Sequence, residues 1–219
     1  MSDPTLLFLI RHARPAALPE PRCVGRLDHG LAPEGEVQAR RVAAALRGAG
    51  LSALYTSPSG RAFDTARAIG VATGIEPVVC EAIAEIDFGE LEGRPFDEIR
   101  VSHPRLYDRW MASPTRVRFP GGESYDALRS RAGSAIATMR EAHRGEAFAV
   151  VTHAGVIRAI LAGCLMMPDS AIFRLEPEHA AVTVVEWLAE TALLRAFNLP
   201  AAALSSPDLP VAMTAGRRG

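Results

Sequence analysis

An α/β fold with a mostly parallel sheet is what this sequence predicts. Two short apolar runs each end in a histidine: Leu6–Ile10 runs into Arg11-His12, and Ala147–Thr152 runs into His153. Between and after them, strand-like and helix-like segments alternate at the spacing of βα units, which argues for parallel pairing with right-handed crossovers. The chain has 219 residues, 48% of them hydrophobic. A chain of that length buries roughly 70% of its unfolded surface, enough to form a core without a disulfide or metal staple.

The elements follow in order. Leu6–Ile10 is the first strand, and the Pro-, Gly- and Arg-rich stretch from Ala13 to Asp28 is a loop over its end. Pro33-Glu34-Gly35-Glu36 opens a helix to about Gly48, since proline suits a first turn and acids suit the positive helix end. Val42 and Leu46 are spaced for the core. Leu51–Tyr55 is a second strand; a helix from Ser57-Pro58-Ser59 to about Thr73 follows, stopped by Gly74, with Ser57 or Ser59 as its cap. Glu76–Cys80 is a third strand. Residues 81–123 break this rhythm with a weakly helical stretch, Phe96 to Met111, interrupted by Pro104. They are expected to fold back over the active edge of the sheet. A long helix runs from a Ser124 cap to about His143, then come the Ala147–Thr152 strand and a helix from Val156 to Met166. Asp169 is placed to cap a short helix after Pro168, and Ala181–Leu188 with Leu193–Asn198 form a closing hairpin. Residues 1–200 are read as one domain, and 201–219, rich in Ala and Pro with a basic end, as a flexible tail.

Composition excludes several functions. Lys+Arg (24) nearly cancel Asp+Glu (25), and no block of like charge suggests a nucleic-acid groove or a membrane surface. Cys23, Cys80 and Cys164 are odd in number and widely spaced, with no zinc spacing, so they read as reduced thiols. Met1-Ser2-Asp3-Pro4 is no signal n-region, Leu6–Ile10 is too short for an h-region, and no stretch approaches a membrane span. The expectation is a cytoplasmic protein with no nucleic-acid or membrane partner.

Four pieces carry the chemistry: Arg11-His12-Ala13, the segment Thr56 to Ala66 with Arg61, the segment Ile83 to Gly93 with Glu85, and Thr152-His153-Ala154-Gly155. In open α/β sheets ligands bind beyond the carboxyl ends of the strands, so the two imidazoles are expected in one crevice. A single histidine at a strand end is more often structural, and a single arginine at a helix start is more often solvated; the argument rests on the set. Together the pieces suit phosphoryl transfer. Arg11 and Arg61 offer planar paired donors to a phosphomonoester. Opposite unit charges about 4 Å apart attract by about 4 kcal/mol at an effective dielectric of about 20. His12 is the candidate nucleophile, kept neutral by the cations around it. His153 and the amide of Ala154 are candidate phosphate ligands, the amide because it opens a helix. Glu85 is the candidate general acid, then base; Asp87 and Glu92 rank below it.

These motifs resemble the histidine phosphatase superfamily, also called phosphoglycerate-mutase-like, from about Leu6 to Leu199. Gly25-Arg26-Leu27-Asp28, Gly35-Glu36-Val37-Gln38-Ala39 and Pro120-Gly121-Gly122-Glu123-Ser124 extend the likeness. The resemblance implies a three-layer α/β/α sandwich and chemistry through phosphohistidine, with no cofactor and no metal. It implies His12 as nucleophile, Arg11, Arg61 and His153 as the phosphate pocket, and Glu85 as proton donor. The chain departs from the usual pattern at Ala13 (usually Gly), at Arg14-Pro15 (usually an acid then Ser or Thr), at Leu18 (often Asn) and at Ala32 (often a Thr cap). Arg14 is weighed as a substitute for the polar contact missing at Leu18.

The short stretch from Gly93 to Gly121 favours a hydrolase over a mutase, and the pattern around Glu85 and Gly121 looks like broad-specificity and α-ribazole phosphatases. The expectation is a metal-independent phosphomonoester hydrolase acting on a small phosphorylated metabolite. The alternatives are α-ribazole phosphatase specifically, a cofactor-dependent phosphoglycerate mutase, or a non-catalytic phosphate-binding protein. Tyr107 and Trp110 are either a substrate wall or packing residues. His29, His103, His143 and His179 sit in no partnered motif. The substrate, the oligomeric state (monomer or homodimer) and whether Arg14 or His179 lines the pocket are left open.

Overall fold

The computed structural model describes residues 3–17 and 20–205. Its centre is a six-stranded sheet: β1 (Thr5–Arg11), β2 (Leu51–Thr56), β3 (Val78–Val79), β4 (Ala147–Thr152), β5 (Val182–Leu188) and β6 (Thr191–Leu199), in the order β3-β2-β4-β1-β5-β6. β3, β2, β4 and β1 run parallel, and β5 and β6 add antiparallel strands at one edge. The helices are α1 (Pro33–Leu46), α2 (Gly60–Thr73), α3 (Phe96–Ser102), α4 (Pro104–Ala112), α5 (Tyr125–Ala142) and α6 (Ala154–Cys164).

The β1 run shows why this sheet is covered on both faces. Leu6, Phe8 and Ile10 pack into one core with residues of α1 and α2, while Leu7 and Leu9 pack into another with residues of α5 and α6. β4 divides the same way: Ala147, Ala149 and Val151 on the first face, Phe148 and Val150 on the second. A strand buried on both sides reads as continuous apolar sequence rather than alternation. The result is a three-layer sandwich of helices, mixed sheet and helices.

Several local expectations shift. The third strand narrows to Val78–Val79. The last helix begins at Ala154, two residues before Val156, because His153 already has the extended angles of an N-cap. Ser59 occupies the N-cap of α2 without capping it through its side chain; the carboxylate of Asp28 reaches over from the Arg-rich loop and accepts from the amides of Gly60 and Arg61. Asp169 begins a 3-10 turn, Asp169–Arg174, but its carboxylate binds Arg129 and Pro168 is the cap residue. Ser124 does cap α5, accepting from the Ala127 amide at 3.3 Å. Ala32 leaves α1 without a side-chain cap.

Residues 81–123 leave the sheet and, with Cys23 of the loop after β1, form a satellite core that includes Leu91, Ile99, Val117 and Phe119, flanked by Phe88, Phe96, Tyr107 and Trp110. Tyr107 and Trp110 are packing residues here; the Trp110 ring lies 5.0 Å from that of Phe119. Gly89 makes the close approach possible: it has φ +55°, and a Cβ there would meet the Pro120 carbonyl at 2.2 Å. The first residues of the segment expected as a tail are ordered against the core. Ala201–Ser205 forms a 3-10 turn, and the Leu204 side chain is buried in the first core. Leu18 and residues 206–219 lie outside the described residues.

Candidate active site

Strand register brings the two histidines together. Arg11 pairs with Thr152 across the β1–β4 ladder, so His12 and His153 leave adjacent parallel strands at the same level. Their ring centroids are 5.1 Å apart, and both residues are buried. Arg61, in the first turn of α2, reaches the same point: its Nε lies 3.3 Å from His12 Nε2 and its Nη2 lies 3.3 Å from His153 Nδ1.

The proton positions follow from the partners. The Ala13 carbonyl can only accept, and it lies 2.8 Å from His12 Nδ1. The proton therefore sits on Nδ1, and Nε2 presents a lone pair to the crevice, met by the Arg61 N–H. Burial, followed by the charge of Arg61, drives the His12 pKa well below its ordinary 6.5. His153 is lowered for the same reason, burial first, then His12 and Arg61. Both rings are neutral at pH 7. His153 Nε2 is 2.7 Å from the Ser57 hydroxyl, which is fully buried at the end of β2.

Arg11 donates through Nη1 to the Pro177 carbonyl at 2.8 Å, and its buried Nε has no partner among the described residues. Burial lowers its pKa to about 10 against the pull of Glu85, so it stays charged at neutral pH. Arg61 is anchored from behind by the carbonyls of Leu27 (2.6 Å) and Gly25 (2.7 Å) and by Asp28. Burial raises the pKa of the Asp28 carboxyl, but the amides of Gly60, Arg61 and Gly30 outweigh it and hold the group below the usual carboxylate range.

Glu85 comes from the loop after a 3-10 turn, Glu81–Ile83. Its Oε2 accepts from the Gly155 amide at 3.0 Å, and a Cβ on Gly155 would fall 2.3 Å from Oε1. The small residue after Ala154 is what admits this carboxylate to the first turn of α6, next to the Ala154 amide. The Glu85 loop is held by Arg131 of α5, whose guanidinium donates to the carbonyls of Ala82, Ala84 and Glu85 and binds both oxygens of Glu123. Nothing in the local sequence singles Arg131 out. Asp28 was visible only as part of a motif.

His12, Arg11, Arg61, His153, Ala154 and Glu85 thus gather at one sheet edge. Asp87 and Glu92 turn away: Asp87 accepts from the Gly89 amide at 2.8 Å, and Glu92 accepts from the amides of Gly25 and Leu27. Ala13 carries no left-handed strain, since positive φ among the described non-glycine residues is confined to Met166, Ala180, Ala189 and Asn198. A cavity of about 680 Å³ opens beside the cluster, lined by Arg61, Arg14, His29 and His179 among others. Of the other histidines, His143 binds the Tyr55 hydroxyl at 2.9 Å and His103 sits between α3 and α4. Among the described residues, no group of three His, Cys, Asp or Glu side chains could hold a metal ion, and no helix is long and apolar enough to cross a membrane.

This geometry agrees with what the chain is similar to. Residues 7–200 match the histidine phosphatase superfamily, branch 1. Phosphoserine phosphatase 1 of Hydrogenobacter thermophilus is 31% identical over 179 residues, which are 82% of this chain and 85% of that protein. Among solved structures, YhfR of Bacillus stearothermophilus is 30% identical with a TM-score of 0.81, covering 87% of this chain and 95% of that one. The α-ribazole phosphatase of Shigella flexneri, 23% identical with a TM-score of 0.80 over 88% of this chain and 96% of that one, shares the fold. With two histidines and two arginines gathered at the strand ends and a family match spanning nearly the whole described chain, this protein belongs to the histidine phosphatase superfamily and is a phosphatase.

Proposed function

We propose that this chain hydrolyses small phosphomonoesters in two displacements at His12, without a metal or other cofactor, and that residues 1–200 form the catalytic domain. His12 Nε2 attacks phosphorus, forming the P–N bond as the bond to the ester oxygen breaks. Glu85 delivers a proton to that oxygen, and the alcohol leaves. Glu85 then takes a proton from water, the water oxygen attacks phosphorus, the P–N bond breaks, and inorganic phosphate departs.

Arg11 and Arg61 bind the equatorial phosphoryl oxygens, where charge is spread in the transition state. His153 accepts at Nδ1 from Arg61 Nη2 at 3.3 Å and donates through Nε2 to the Ser57 hydroxyl, and so orients Arg61 beside the phosphoryl group. The Ala154 amide adds a donor at the positive end of α6. The supporting observation is the unprotonated Nε2 of His12, held by the Arg61 Nε at 3.3 Å. O-phosphoserine is the first substrate to test, given the 31% identical phosphoserine phosphatase; α-ribazole 5′-phosphate is the second.

The test is p-nitrophenyl phosphate turnover in EDTA, with an alkaline SDS quench of the enzyme during turnover. The expected result is turnover and a base-stable, acid-labile phosphoenzyme that His12→Ala abolishes. An active His12→Ala variant would refute the mechanism.

A further inference from the structure

His179 has no part in the reaction proposed above, yet a strained and heavily anchored loop holds it beside the nucleophile. Its ring centroid lies 5.1 Å from that of His12. On one side of it, Arg158 Nε donates to the Leu175 carbonyl at 2.7 Å and Arg11 Nη1 to the Pro177 carbonyl at 2.8 Å. Asn198 grips the loop from β6, donating to the Glu176 carbonyl at 2.7 Å and accepting from the Glu178 amide at 2.8 Å. On the other side, the Ala180 amide donates to the Arg11 carbonyl at 3.0 Å. Ala180 and Asn198 both take φ +56°, a region that residues with a Cβ seldom enter. Strain of this kind persists only where surrounding contacts enforce it, and it clusters at functional sites.

The ring itself is oriented. His179 Nδ1 lies 3.1 Å from the His12 carbonyl. That oxygen only accepts, so Nδ1 carries the proton and Nε2 of the neutral ring is a bare acceptor. Burial, followed by the charge of Arg11, lowers the pKa to about 4, which keeps the ring neutral at pH 7. The residue lines the cavity of about 680 Å³ together with Arg61 and Arg14. A phosphoryl oxygen gains nothing from a lone pair; the groups that suit it here, on Arg11 and Arg61, are donors. An acceptor in this place must meet a different part of the substrate.

The geometry points to His179 Nε2 as a specificity subsite that accepts a hydrogen bond from the leaving group, so that the substrates are small alcohol phosphates bearing an ammonium or hydroxyl next to the ester carbon. This rests on the phosphatase mechanism proposed above. A hydrogen bond in which one partner is charged, or a buried acceptor left unpaired, changes binding by about 10- to 100-fold.

The test compares kcat/KM for O-phospho-L-serine, 3-phospho-L-glycerate and 3-(phosphonooxy)propanoate, which carry an ammonium, a hydroxyl and a hydrogen at the same carbon, the two donors in the same configuration. The carboxylate is common to all three, so any attraction to Arg14 cancels. Wild type is expected to favour at least one donor-bearing ester by about 10-fold or more. His179→Phe, which lacks the acceptor, is expected to bring that ratio close to unity. His179→Gln, with an amide N–H and an oxygen, is expected to keep much of it. Wild type turning over p-nitrophenyl phosphate and all three esters with equal efficiency overturns the subsite and leaves the phosphatase mechanism standing. So does a preference that survives in His179→Phe, or one lost as fully in His179→Gln. No turnover of any ester, p-nitrophenyl phosphate included, overturns the mechanism and the subsite with it. Should His179→Phe not fold, the wild-type ratio and His179→Gln still decide.

Discussion

Arg61 Nε lies 3.3 Å from His12 Nε2, on the side of the ring away from the Ala13 carbonyl. A donor on one nitrogen and an acceptor on the other leave a single neutral tautomer. One arginine therefore holds the lone pair of His12 in place, contacts His153 and remains anchored to three backbone or carboxylate groups of residues 25–28.

From this follows the first prediction. Arg61→Lys keeps the charge but loses the planar fork, and with it several bonds at once. The kcat/KM for p-nitrophenyl phosphate is expected to fall by at least about 100-fold. Carbonyls left unpaired at Gly25 and Leu27 are expected to lower stability by about 1–3 kcal/mol, read from a urea titration. A lysine variant with near wild-type kcat/KM would refute the shared role.

Asp28 acts on the same site from behind. Asp28→Ala removes the carboxylate that meets the first amides of α2 and the Arg61 guanidinium. Loss of such a cap costs about 1 kcal/mol. Thermal denaturation is expected to show that loss, together with a higher KM for aryl phosphates. An unchanged KM would show that Arg61 needs no such support.

Glu85 and Gly155 give a paired test. Glu85→Gln removes the transferable proton, and is expected to slow alkyl phosphates more than p-nitrophenyl phosphate, whose leaving group needs little protonation. Gly155→Ala places a Cβ 2.3 Å from Glu85 Oε1. The displaced carboxylate is expected to reproduce the same alkyl-over-aryl loss while Glu85 remains intact. Equal losses on both substrate types would argue against Glu85 as the acid.

Stability should fall with acid well before carboxylates titrate. His12 and His153 are held well below 6.5 and His179 at about 4, burial being the first cause for each. The unfolded chain takes up these protons near pH 6.5 while the folded chain does not. Their stabilising contribution is full above about pH 6.5 and is lost as pH falls toward the folded values. Denaturant titrations between pH 7 and about 5.5 should show a steady decline; a flat profile would contradict the neutral histidine cluster.

Much of the fold was legible because its strands are buried on both faces. Leu6–Ile10 and Ala147–Thr152 read as strands from composition alone, and the strand-end rule brought His12 and His153 together. Legibility failed where a partner distant in sequence supplies the contact. The cap of α2 comes from Asp28, not from the serines beside it. Arg131, in the middle of α5, organises the Glu85 loop through carbonyls 46 to 49 residues away. Leu204 docks into the first core from a segment whose composition suggested a tail.

By itself, the sequence determined the order of strands and helices and the residue types that meet at the strand ends, because periodicity and apolar runs are local properties. Tertiary structure decided which groups carry protons and which carry lone pairs. That depends on the Ala13 carbonyl and Arg61 around His12, on Ser57 behind His153, and on the loop that sets His179 against His12. Hydrogen-bond partners and dielectric environment are set by residues far apart along the chain, and no local pattern encodes them.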